Sequence, residues 1–254
     1  MTRDGRFLVE RTALFYAPSI SIHQEIVRAQ SRRDRGEASL VAFGNPSLTG
    51  GARERLASVE RNIVLGPLPD AEEEVRAIAR LYGRRSAVYT REEAQEESAK
   101  REMSRARIVH FATHGLFDDR NPMFSQIVLA SAGQEDGVLQ AWEMMRLDLG
   151  VDLVVLSACD TARGEGRAGE GLIGMSWALF VGGCPSTVAT HWRVDSHSAS
   201  RLMVAFHRHL VRGGDARGAA KAEALRAAQL EMLRGAATRH PFYWAGFVLI
   251  GSAR

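Results

Sequence analysis

The chain has 254 residues, 45% of them hydrophobic and 25% charged, the make-up of a globular protein with a packed core. Its formal charge of +3 is spread through interleaved signs: the densest basic cluster, Arg32-Arg33-Asp34-Arg35, is broken by an acid, and no reading motif or regular interleaving of aromatics accompanies it, so direct nucleic-acid binding is not expected. Two cysteines exclude a disulfide framework, no apolar run approaches the ~18–20 residues that span a bilayer, and the opening MTRDGRFLVE lacks a signal-peptide core, so the expectation is a cytoplasmic protein that binds no membrane.

In chain order, residues 40–44 (LVAFG) read as a short buried strand running into a turn at Asn45-Pro46. Residues 62–65 (NIVL) form a weaker strand before Pro67 and Pro69. Asp70 is the expected N-cap of a helix in which Val75, Ile78, Ala79 and Tyr82 recur at helical spacing, with Gly83 as its C-cap. A strand follows at 86–89, and Thr90 is the expected cap of the charged segment 91–105. Glu96 and Lys100, like Glu97 and Arg101, stand at i,i+4 there, and the segment reads as an exposed helix face without chemistry. Further strands are expected at 107–112 (RIVHFA), 125–130 (SQIVLA) and 151–157 (VDLVVLS), with a short helix near 141–146. After a glycine-rich loop come a helix at 172–181, a strand at 186–191 (STVATH) and two long helices near 195–211 and 215–233. His240-Pro241 ends the second, and 242–250 (FYWAGFVLI) makes a last apolar element.

Strands alternating with helices specify an α/β fold whose largely parallel sheet is covered on both faces. No linker and no internal repeat divides the chain. In such sheets functional groups collect beyond the carboxyl ends of the strands, and two expected strands end in reactive residues, His114-Gly115 and Cys159.

Rival sites fail on spacing. Gly164, Gly166 and Gly169 spell G-x-G-x-x-G, but residues 158–163 separate them from the strand that a dinucleotide fingerprint must follow directly. A cysteine phosphatase would need an arginine at position 165, where this chain has glutamate. His110 and His114 have the spacing of a zinc H-E-x-x-H pattern, but Phe111 stands in place of the general base and the segment reads as a strand. No metal and no cofactor is therefore expected. His110 reads as a packed, hydrogen-bonded histidine and Cys184 as a small buried hydrophobe.

Cys159 and His114 fit together chemically. A cysteine nucleophile attacks as the thiolate, so it needs a base for its proton, and the thiol alone titrates near ~8.5. It also needs donors for the developing oxyanion. Gly115, with no Cβ, lets a backbone N–H approach a carbonyl closely, and the N–H of Cys159 is the second expected donor. The two residues lie 45 positions apart, close to the roughly 50 that separate histidine from cysteine in caspases.

The segments VHFATHG (109–115), DGVLQAWEM (136–144), DLVVLSACDT (152–161), GEGLIGMSWALFVGG (169–183), STVATHWRVDS (186–196) and HPFYWAGFVLIG (240–251) resemble the CHAT domain. LFYAPSIS (14–21), FGNPSL (43–48) and LPDAEEEVRAIARLYG (68–83) resemble it too, so the likeness covers nearly the whole chain. CHAT is a caspase-like cysteine peptidase domain of clan CD, related to separases, paracaspases and metacaspases. The resemblance implies a three-layer α/β/α sandwich, one domain over residues 1–254 with room for an N-terminal extension at 1–35. It also implies a catalytic dyad of His114 and Cys159.

Family members commonly read LWPV where this chain has His191-Trp192-Arg193-Val194. The Trp192-Arg193 pair is similar to the substrate-lining loop of caspases, whose arginine receives an acidic P1 side chain. If Asp160 or Asp118 lined the pocket instead, basic P1 residues would be favoured, and the lean is towards Asp160 because it adjoins Cys159. The resemblance further implies a protein substrate, a bacterial defence or signalling setting, and an activating tetratricopeptide-type repeat region or partner chain. The alternative is an idle CHAT module acting as scaffold or sensor. Arg163 and Arg167, in the glycine loop, suggest self-cleavage or gating there.

Overall fold

A computed structural model of the chain describes residues 5–17, 19–31, 39–48, 65–157, 159–160, 170–213 and 220–253. Its strands are β1 (Leu40–Pro46), β2 (Ser86–Arg91), β3 (Ile108–Ala112), β4 (His114–Leu116), β5 (Gln126–Val128), β6 (Val138–Gln140), β7 (Leu153–Leu156), β8 (Cys159–Asp160), β9 (Ser186–Thr190) and β10 (Phe247–Gly251). The helices are α1 (Ile20–Ser31), α2 (Pro69–Tyr82), α3 (Glu96–Met103), α4 (Ala141–Met144), α5 (Glu170–Val181), α6 (Ser196–Arg212) and α7 (Ala220–Arg234).

The main sheet has the order β10-β9-β7-β3-β1-β2, parallel throughout except for β10, which runs antiparallel to β9 at the edge. Successive residues of a strand face opposite sides, and β1 shows the consequence. Leu40 and Ala42 enter a core with Val75 and Ile78 of α2 and Leu202 and Phe206 of α6, while Val41 and Phe43 join Phe111 and Leu156 and, beyond them, Met175 and Leu179 of α5. A parallel sheet buried on both faces is thus the middle of three layers. A smaller sheet, β6-β5-β4-β8, continues from the carboxyl ends of β3 and β7.

The register of this continuation is constant. Ile108 pairs with Leu153 and Phe111 with Leu156 in the β3–β7 ladder, an offset of 45 residues. Beyond the break at Thr113, β4 pairs with β8 in parallel at the same offset, His114 opposite Cys159 and Gly115 opposite Asp160.

Element boundaries differ from the sequence expectation in informative ways. Helix α2 starts with Pro69 at its first position and Leu68 as N-cap, so Asp70 lies inside the first turn rather than capping it. Gly83 does end it, at φ 58°. Thr90 belongs to β2, which runs on to Arg91 because Arg91 pairs with Pro46, and α3 begins only at Glu96. The strand expected at 62–65 and the glycines at 164–169 fall largely or wholly outside the described residues.

Segment 91–105 is more than an exposed face. Glu96 is 1% exposed; its Oε2 accepts from the amides of Gly137 and Val138 at 2.7 and 3.0 Å, and its Oε1 meets Lys100 Nζ at 2.8 Å. The same ammonium reaches Glu135 at 2.7 Å and Glu143 at 2.9 Å, so a lysine occupies the point on which three carboxylates converge. Burial pushes the Glu96 carboxyl up, against the pull of Lys100. Removing one partner of a buried pair costs about 3–5 kcal/mol. Lys100→Met should therefore lower the melting temperature by roughly 6–20 °C at ~2–4 °C per kcal/mol, while Glu97→Gln, on the exposed side of α3, should change it by no more than about 2 °C; calorimetry of both variants checks this.

Candidate active site

The carboxyl rim of the parallel sheet positions the reactive residues. Strand β3 ends at Ala112, Thr113 interrupts the ladder, and His114 opens β4, where burial leaves it 8% exposed. Its Nε2 lies 2.8 Å from the carbonyl oxygen of Gly66. A carbonyl can only accept, so Nε2 carries the proton and Nδ1 is left as the acceptor of the neutral ring. Burial lowers the ring's affinity for a second proton, and the positive charge of Arg193 lowers it further. At neutral pH His114 is a neutral imidazole with a defined tautomer, which is the form a general base requires.

The Gly66 carbonyl is itself held. Asn45, at the end of β1 with φ 49°, accepts from the amide of Leu68 through Oδ1 at 2.7 Å and donates from Nδ2 to Glu72 Oε2 at 3.0 Å. Glu72 also receives Arg91 Nε and Arg76 Nη2, each at 2.9 Å. Hydrogen bonds from Asn45, Arg91 and Arg76 hold its carboxyl down at about 2. Asn45 is thus a positioning residue, tying segment 66–68 to α2 and to the ends of β1 and β2. Sequence reasoning missed Gly66 because a backbone carbonyl has no residue signature. The one legible trace was the Asn45-Pro46 turn, since asparagine tolerates the left-handed conformation this link needs.

The remaining expected residues are dispersed around this centre. Gly115 is buried between two partners, opposite Asp160 of β8 and Ile127 of β5. Arg193 is exposed, yet its charge is felt at His114. Trp192 is 36% exposed, donates from Nε1 to the Phe242 carbonyl at 2.9 Å and rests on Gly246, where a Cβ would come within 2.8 Å of the ring. Asp118 is occupied locally: Oδ1 accepts from the amides of Arg120 and Asn121 at 2.8 and 2.9 Å, closing an Asx turn. For Asp160 the backbone register is what the structure gives, and Arg163 and Arg167 lie outside the described residues.

His110 is fully buried, with Nε2 2.7 Å from Glu74 Oε1 and Nδ1 3.1 Å from His207 Nε2. Cys184 is buried, donates to the Ser186 carbonyl, and burial pushes its thiol up to about 11. It is an inert thiol.

These shifts set the pH behaviour of the fold. Burial also lowers His207 and His191. Below 6.5 the unfolded chain takes up protons on these histidines and His114 that the folded chain refuses, so stability falls as pH drops from 6.5. Glu72 acts lower: its depressed value stabilises the fold above 4.5, and that contribution is lost as pH falls from 4.5 towards about 2. Melting temperature against pH should decline in these two successive windows. Proton NMR of the histidines should place His114 below 6.5, its resonance identified by its loss in His114→Asn; titration above 6.5 would contradict the assignment.

The CHAT domain family model matches residues 1–252. Human tetratricopeptide repeat protein 28 is 28% identical over 287 aligned residues, covering 98% of this chain and 11% of that protein, and the mouse protein is 27% identical with the same coverage. The chain thus spans about 11% of the length of these relatives. Two crystal structures of the Saccharomyces cerevisiae separase–securin complex superpose with TM-scores of 0.57 and 0.52 at 13% identity, covering 95% and 94% of this chain and 14% of that one. At such identity the likeness is one of fold, a largely parallel central sheet like that of separase's caspase-like domain. With a family match over nearly its full length, the chain belongs to the CHAT domain family.

Proposed function

We propose that this chain is a cysteine endopeptidase that cleaves a protein substrate with His114 as base and Cys159 as nucleophile. The observation that carries the proposal is the parallel pairing of β4 with β8, which sets the two residues directly opposite each other. Neighbouring strands run about 4.8 Å apart, and residues in register share a face of the sheet.

His114 Nδ1 accepts the thiol proton of Cys159, while Nε2–H stays on the Gly66 carbonyl and fixes the ring plane. The thiolate attacks the scissile carbonyl, and the backbone amides of Gly115 and Cys159 take up the oxyanion. The Nδ1 proton then passes to the leaving amine as the C–N bond breaks, leaving a thioester. His114 next takes a proton from water, whose oxygen attacks the thioester, and returns it to the departing sulfur. The chemistry needs a free thiol, so the proposal includes a reducing compartment such as the cytoplasm. Among the described residues no helix is long and apolar enough to cross a membrane. Because the named relatives carry tetratricopeptide repeats in their names, we propose that a helical-repeat region or partner chain presents the substrate. Those relatives are human and mouse proteins, so the proposed setting is signalling, without a tie to bacteria.

Labelling with a peptidyl acyloxymethyl ketone, read by intact mass and peptide mapping, should modify Cys159 and spare Cys184. His114→Ala should slow labelling about 10²–10⁴-fold, the worth of a positioned base. Proteome-wide profiling of new N-termini should show cuts by wild type that vanish with Cys159→Ala. An unlabelled Cys159 with no cuts would instead favour the idle scaffold or sensor module.

A further inference from the structure

A cavity of about 100 Å³ opens at the same carboxyl rim, on the face covered by α2 and α6. It is bounded by Thr113 and Ser157, the residues one and two positions before His114 and Cys159, and by Pro67, which follows Gly66. It therefore adjoins the candidate dyad along both strands.

The charge in its wall has one sign. Asp70 and Glu74, one turn apart on α2, both line it, and no arginine, lysine or histidine does among the described residues. Arg193, whose field reaches His114, is not in the wall, and neither is Asp118. Asp70 is half-buried and accepts from the Ser196 hydroxyl; Glu74 is 3% exposed and engaged through Oε1 by His110. Leu68, Ala112 and Ala199 supply apolar wall.

Ser157 also lines the cavity, is nine-tenths buried, and its Oγ has no hydrogen-bond partner. A buried hydroxyl without a partner costs about 1–3 kcal/mol, and Asp70, half-buried and met by the Ser196 hydroxyl but by no cation among the described residues, loses hydration without a compensating charge. Both debts are relieved by one kind of ligand: a cation with several N–H donors on an apolar stem. A guanidinium or ammonium head on methylene groups matches apolar walls and carboxylates together.

We infer that this cavity receives the arginine or lysine side chain on the amino-terminal side of the cleaved bond, with Asp70 and Glu74 as the residues that select it. This rests on the peptidase reading above, and it moves the selecting charge from Asp160, Asp118 or Arg193 to α2.

Two measurements separate the inference from the reading it rests on. The first needs no hydrolysis: NMR titration of the Cys159→Ala protein with Nα-acetyl-arginine amide, Nα-acetyl-lysine amide and, as controls, the norleucine and aspartate amides. The cationic amides should bind at least tenfold more tightly than the controls, and Asp70→Asn should remove most of that difference. Asp70→Asn is the main variant because Glu74 also holds His110, so Glu74→Gln can fail through folding alone. Equal binding of the norleucine amide, or preference for the aspartate amide, overturns the inference. The second is a set of peptides differing only at the P1 residue. Cleavage dependent on Cys159 should favour Arg and Lys over Gln by at least 30-fold in kcat/KM, and Asp70→Asn should narrow that ratio about tenfold. Cysteine-dependent cleavage with an acidic or apolar preference overturns the pocket and leaves the dyad standing. Selective binding of the cationic amides with no cleavage of any peptide overturns the dyad and leaves the pocket standing.

Discussion

The β3–β7 and β4–β8 ladders share one offset of 45 residues, and the candidate site depends on that register being kept across Thr113 and the end of β7. A slip of one residue turns a strand's side chains to the opposite face. In β3 it would carry Val109 and Phe111 out of their core to the α2–α6 face and take His110 away from Glu74 and His207, its partners there. The hydrophobic pattern of the two strands therefore sets the pairing of His114 with Cys159. Packing of these residues and the proposed chemistry are fixed by the same constraint, which is why the reactive residues can sit past the end of the apolar runs, where polar groups can reach water.

A second line of polar groups runs through the layer between the sheet and α6. Tyr82 Oη lies 2.9 Å from His207 Nδ1, His207 Nε2 3.1 Å from His110 Nδ1, and His110 Nε2 2.7 Å from Glu74 Oε1. The Glu74 carboxylate can only accept, so His110 donates to it from Nε2–H at one end of this chain. Burial and the neighbouring His110 hold His207 well below its ordinary value, consistent with a neutral ring. Such a chain gives every ring nitrogen of His110 and His207 a partner. The carboxylate is thereby oriented from behind the cavity that it lines.

Much of this was legible in the sequence. Short apolar runs bounded by turn residues located β1, β3, β7 and β9 to within two residues at each end, and alternation with helices gave the layered architecture. The residues at the ends of β3 and β7 stood out because a histidine and a cysteine are rare enough types for position to carry meaning. The polarity of the neighbouring cavity was not legible. Asp70 read as a helix N-cap and Glu74 as a favourable charge in the first turn, and the sequence gives no sign that Glu74 points inward, since its partner His110 lies 36 residues away. Segment 91–105 misled for the same reason: the i,i+4 pairing of Glu96 and Lys100 was visible, but the amides of Gly137 and Val138 that bury Glu96 come from 41 and 42 residues downstream.

Helix α2 links these features through its periodicity. Val75 and Ile78 face the core beneath β1, Asp70 and Glu74 share the cavity face one turn apart, and Glu72 points to the rim, where it holds Asn45 and Arg91. Close approach of the helix to the sheet is needed for all three. Gly44 of β1 permits it, because a Cβ there would lie 2.8 Å from the Ala71 carbonyl and 2.7 Å from Val75. The first turn of α2 thus rests on the strand that carries Asn45, and Asn45 in turn fixes segment 66–68 and the Gly66 carbonyl on His114. A rigid-body shift of α2 would change the cavity charge and the orientation of the His114 ring together. The proposed selectivity and base geometry are therefore coupled through one helix–strand contact, so substitutions deep in the α2–β1 interface should alter both properties at once, whereas Asp70, bonded among the described residues only to Ser196 at the rim, touches the cavity alone.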